Sequence, residues 1–146
     1  MNESRATTSV ADYGIEESIA RAAEQELRLD DLQRLSNGLG VDLRSAMDAF
    51  AQHVAEHYAS EAWTFDYCYR AMNGLFAVMR ESKQCPDRAF AVFFAFCAGH
   101  GNHKGGSRGP AAEDRFTRPM IARIVPGRVA RRHPQMPRTP NMRGGK

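Results

Sequence analysis

His53 and His57 stand four residues apart with Glu56 beside the second. On a helix this spacing turns both imidazoles to one side, where they could share a metal ion while the carboxylate serves as general base. The spacing more readily suits a histidine at the edge of a core, because His57 falls between the apolar Val54 and Tyr58. A second donor group is Cys97, His100 and His103, with Cys68 or Cys85 as a fourth ligand. Thiolate and imidazole donors across a glycine-rich turn suit tetrahedral zinc. Paired C-x-x-C knuckles are missing, however, and a Cys closing an apolar run is ordinarily a small buried hydrophobe. No cofactor is expected, and zinc is the one these donors would admit.

Other chemistry finds little footing. There is no G-x-S-x-G elbow for a nucleophile, no G-x-G-x-x-G after a strand and no G-x-x-x-x-G-K-[ST] loop. The glycine-rich stretch 99–112, which holds Lys104, reads as a loop rather than a phosphate cradle. Asp66 and Asn73 lie seven residues apart and so on nearly one helical face. Asn73 precedes a glycine, a locally unfavourable pair inside a helix, which points to a tertiary use: at its simplest a hydrogen bond to the end of a neighbouring helix, otherwise a binding site formed with Asp66.

The elements that must hold these groups are helical. Ile15, Ile19, Ala22, Ala23 and Leu27 recur at helical spacing, and Leu29, Leu32 and Leu35 continue the apolar edge to a stop at Asn37-Gly38 and Gly40. Asp42 can cap a helix whose stripe is Leu43, Met47, Phe50, Val54 and Tyr58. Thr64 can cap another, striped by Phe65, Cys68, Tyr69, Met72, Leu75, Phe76 and Met79. Pro86 opens a fourth helix, apolar on all sides from Ala89 to Ala98 and ended by Gly99, which is expected to be the buried centre of the fold. A last short helix is anchored by Phe116, Ile121 and Ile124, with Pro119 in its first turn. The expectation is an all-α fold, a small bundle of four to five antiparallel helices over residues 15–125. A flexible start, 1–14, precedes it and a disordered basic tail, 126–146, follows.

Charge divides the chain. Residues 1–98 carry nine Lys and Arg against fifteen Asp and Glu, whereas residues 99–146 carry eleven against two. The tail holds six basic residues, among them Arg128, Arg131 and Arg132, and four prolines. Such a segment can attach to phosphates in a salt-sensitive, sequence-blind manner. It has no aromatic residue for base stacking.

The stretch Trp63 to Phe76, the run Ala89 to Gly99 and the segment Arg115 to Ile121 resemble a group of small, uncharacterised bacterial helical proteins. The resemblance implies an all-α, bacterial, cytoplasmic protein and brings no activity with it. In that group the end of the central helix resembles Phe-Asp-x-Gly-Glu, whereas here Phe96-Cys97-Ala98-Gly99-His100 replaces both acidic positions. The H-x-x-E-H order is also that of the inverted zincin peptidases, which are much larger and add a glutamate from a second helix. No catalytic residue is therefore expected.

Three cysteines are too few for a disulfide framework, and neither a signal peptide nor a run of ~18 apolar residues is visible. A cytoplasmic protein without membrane partners is expected. The reading that follows is a non-catalytic module that meets a protein partner or a second copy of itself. Nucleic-acid association through the tail comes second and a small zinc-binding domain third.

Overall fold

Side-chain caps start the two best-defined helices. Asp42 Oδ1 accepts from Ser45 N at 2.8 Å and Thr64 Oγ1 from Tyr67 N at 3.2 Å, each satisfying an amide that the first helical turn leaves without a partner. Asp31 does the same in reverse at another start, accepting from Arg28 N at 2.9 Å. The computed structural model describes residues 3–100 and 112–125, with side chains from residue 14 onward. The chain runs through α1 (Glu3–Glu24), α2 (Leu29–Leu39), α3 (Leu43–Ala59), α4 (Phe65–Ser82) and α5 (Asp87–His100), then a π-helical turn, Glu113–Thr117, that leads into α6 (Arg118–Ile124). No strand occurs among the described residues. The all-α expectation holds, with six α-helices among the described residues where four or five were expected.

α1 begins at Glu3, well before the Ile15 at which an apolar stripe becomes visible, so the opening segment is helical where a flexible start was expected. α1 lies along α4 and also touches α2 and α3; α3 and α4 both pack on α5. The α1–α4 crossing is close because Gly74 has no side chain. A Cβ there would stand 2.7 Å from Ala22 Cβ and 3.0 Å from the Ala22 backbone. Small residues at a crossing let two helix axes approach, and Gly74, rather than its neighbour Asn73, is what this tertiary contact uses.

Core residues come from every helix: Ile19, Leu32, Met47, Phe50, Met72, Leu75, Phe96 and Ile121 are all sealed from solvent. α5 departs from the expected buried centre. Ala89, Val92, Ala95, Phe96, Ala98 and Gly99 face inward, whereas Phe90 and Phe94 are 42% and 49% exposed. Its first turn is fixed from outside, Ala89 N donating to Asp48 Oδ1 of α3 at 3.0 Å. Nor does Gly99 end α5, which continues to His100; the glycine instead lets the π turn approach. No described helix is long and apolar enough to cross a membrane.

Candidate functional site

His53 and His57, one helical turn apart on α3, stack their rings with centroids 4.3 Å apart. Glu16 reaches them from α1: its Oε2 lies 3.1 Å from His53 Nε2 and 3.6 Å from His57 Nε2. His57 Nδ1 is 3.0 Å from the His53 carbonyl oxygen. A carbonyl only accepts, so Nδ1 carries a proton, and the nitrogen that can offer a lone pair is Nε2, which faces Glu16.

The third wall is Trp63, whose ring stacks on His57 at 4.2 Å and meets Tyr67 edge-on at 5.2 Å. The loop between α3 and α4 folds back to place it there. Ala62 N and Trp63 N both donate to the His57 carbonyl, at 2.9 and 3.3 Å, and Glu61 takes a left-handed φ of 67° to allow the reversal. Burial and the nearby Glu24 push the Tyr67 phenol up, keeping it neutral beside the cluster.

Glu56, the carboxylate that the H-x-x-E-H spacing nominates as general base, instead accepts from Gln52 Nε2 at 2.8 Å. The carboxylate that joins the histidines is Glu16, from another helix. The other candidate donors do not form a set of three with each other among the described residues. Cys97 is half-buried and its thiol is pushed up by burial, away from the thiolate a metal needs. His100 stacks flat on Tyr69 at 4.1 Å. Cys68 is sealed in the core, its thiol pushed up to about 12 by burial, and Cys85 is exposed. His103, Arg128, Arg131 and Arg132 lie outside the described residues, as do most of the glycine-rich loop and the basic tail.

Asp66 and Asn73 have local roles. Asp66 Oδ2 accepts from Arg70 Nε at 3.1 Å, and Arg70 in turn donates to the Ala23 carbonyl at 3.0 Å, closing the last turn of α1. Asn73 donates to Tyr69 O of its own helix at 2.9 Å, not to the end of a neighbour. It nevertheless sits one turn from Phe76, at the margin of a partly exposed aromatic row. Phe76 stacks on Phe93 at 4.0 Å, and Phe90 lies 6.2 Å from both Phe93 and Phe94, so four rings form a row along the α4–α5 seam.

Two further polar groupings have structural partners throughout. Tyr58 donates to Glu113, and Arg118 lies 3.4 Å from the same carboxylate and 5.4 Å above the Tyr58 ring. A cleft of ≈ 260 Å³ between α1 and α2 is lined by Ser18, Arg21, Asp31, Arg34 and Leu35, and the buried Asp31 engages Arg34 and faces Arg21 at 3.7 Å. No family model, curated protein or solved structure matches the chain.

Glu16 and Trp63 are the site residues that spacing does not reveal. Glu16 stands off the apolar stripe of α1 like any solvent-facing glutamate, and Trp63 lies between two helices. The only available signal was that Ile15 and Ile19 are both core residues, so Glu16 flanks the buried face of α1.

Proposed function

We propose that this is a non-catalytic interaction module, a bacterial cytoplasmic antiparallel bundle, whose docking face is the phenylalanine row of the α4–α5 seam and whose occupant is a second copy of the chain. The observation that carries this reading is the exposure of Phe90 and Phe94, 42% and 49%, beside the stacked Phe76 and Phe93. Adjacent large aromatics open to water give up hydrophobic stabilisation that a partner would recover, and such contiguous patches mark interaction surfaces.

A second copy is favoured by the charges on the same strips. Arg80 follows Phe76 by one turn on α4, and Asp87 precedes Phe90 by one turn on α5; all but the half-buried Phe76 are exposed. A face carrying one cation and one anion around an apolar centre is self-complementary under a two-fold axis, as an isologous contact requires. Ala91, between Phe90 and Phe94, gives the close approach that two such rows need.

Sedimentation equilibrium of the chain and of Phe90→Ser/Phe94→Ser tests it. The expected result is a monomer–dimer equilibrium in the parent and a monomer in the variant with the same far-ultraviolet circular dichroism. A parent that stays monomeric at all concentrations, or a dimer that survives both substitutions, overturns the reading.

A further inference from the structure

We propose that Glu16, His53 and His57 form a binding site for a divalent transition metal of the zinc class, with a fourth position open to water. Three observations converge on the cluster, and none concerns the docking face.

The first is donor type and spacing. Two imidazole nitrogens and a carboxylate oxygen are a common ligand set for zinc, and each offers an atom within 4.8 Å of the other two. Bonds of ~2.0–2.2 Å at tetrahedral angles place neighbouring ligands about 3.4 Å apart. The Glu16 oxygen lies 3.1 and 3.6 Å from the two nitrogens, bracketing that edge, before any ion draws them in.

The second is the hydrogen bond behind His57. Histidines that bind metals through one ring nitrogen usually donate the other N–H to a carbonyl or carboxylate, which fixes the tautomer and the ring plane. His57 Nδ1 does this to the His53 carbonyl. Its Nε2 lone pair then faces a carboxylate oxygen, and two acceptors 3.6 Å apart call for a cation or an added proton between them. A metal meets that need for both histidines at once, displacing the proton that His53 donates to Glu16.

The third is the enclosure. Trp63 covers one face of His57, and the loop that carries it is tied to the His57 carbonyl by two amides. His53 and His57 are 13% and 28% exposed, whereas Glu16 is 46% exposed, so the ligands are held from the protein side and open on the carboxylate side. A metal would join α1 to α3 through that open edge and leave room there for one water.

Trp63 is the only tryptophan of the chain, so its fluorescence reports on this site alone. The experiment is zinc and cobalt titration of the full untagged chain, followed by native mass spectrometry, Trp63 emission and the visible spectrum of the cobalt form. The expected result is one metal per chain, a saturable change in Trp63 emission and the intense visible bands of four-coordinate cobalt. Glu16→Gln and His57→Gln, each checked for unchanged helicity, should weaken zinc by at least about 100-fold, since even outer partners of a metal ligand are worth ~10–100-fold. Cys97→Ser/His100→Gln should bind as the parent does. Absence of a one-to-one complex at zinc up to ~100-fold over protein, or retention of parental affinity by both Glu16→Gln and His57→Gln, overturns the proposal. So does loss of binding in Cys97→Ser/His100→Gln, which would place the metal at the end of α5.

Discussion

A Cβ on Gly99 would stand 1.8 Å from Thr117 Oγ1, so the last turn of α5 and the π-helical turn before α6 meet where only a hydrogen atom fits. Thr117 cannot turn aside freely, because it is fully buried and its hydroxyl donates to the Ala95 carbonyl at 2.7 Å. Gly99→Ala must displace the π turn or break that bond. We expect a loss of about 2–4 kcal/mol, the sum of an overpacked core and a lost buried hydrogen bond. Urea denaturation measures it; a midpoint within error of the parent would show that the turn yields without strain.

Helical periodicity made α3 and α4 legible, because their apolar residues recur on one face and Asp42 and Thr64 mark their starts; Pro119 marked α6, but of its expected anchors Ile121 is buried whereas Phe116 lies in the π turn before it and is 38% exposed. Periodicity left the start of α1 unseen, since the Ser- and Thr-rich opening has no stripe to betray it. It overstated the burial of α5, where Phe90 and Phe94 read the same as the buried Phe96. Of the candidate site, the paired histidines were visible from their spacing. Glu16 was not, since it meets His53 across 37 residues of sequence. A stripe tells which side of a helix is buried, not which neighbour it meets, so the close crossings at Gly74 and Gly99 were hidden for the same reason.

Lys83 ends α4 in a left-handed conformation, φ 59° and ψ 36°, that L-residues avoid by about 1–2 kcal/mol. Its amide and that of Gln84 return to Arg80 and Met79 carbonyls, at 3.2 and 3.0 Å, the bonding of a helix end that favours glycine. Lys83→Gly relieves the strain but adds freedom to the unfolded chain, so the expected gain is about 0.5–1 kcal/mol. Lys83→Ala, equally strained, should give none. Thermal melts of the pair separate the backbone effect from loss of the lysine charge.

Tyr58 joins α3 to the π turn through its hydroxyl, which donates to the Glu113 carboxylate while Arg118 lies 3.4 Å from the same carboxylate oxygen. The tyrosine is 3% exposed and Glu113 17%, so neither group recovers full hydration when the bond is removed. Tyr58→Phe should lower stability by about 1.5–3 kcal/mol, the range for hydrogen bonds to a charged partner. Glu113→Gln in the Tyr58→Phe background should cost clearly less than in the parent, a coupling that a double-mutant cycle reads directly. Additive losses would mean that the two residues act independently.

Alkali should unfold this protein through its buried acids. Burial pushes the Cys68 thiol from its ordinary 9.0 up to about 12, and burial followed by the Glu113 contact pushes the Tyr58 phenol up as well. Both groups stay protonated in the folded chain where the unfolded chain has lost the proton. The stability they contribute is whole below the unfolded value, near 9 for the thiol, and is lost as pH climbs towards the folded one. For Cys68 the slope approaches about 1.4 kcal/mol per pH unit above pH ~9. Urea midpoints at pH 8, 9, 10 and 10.5 should therefore fall progressively in the parent. They should fall less steeply in Cys68→Ala, whereas replacing the exposed Cys85 should leave the slope unchanged. Parallel lines for the parent and Cys68→Ala would show that the thiol titrates alike in both states and that its burial does not resist ionisation.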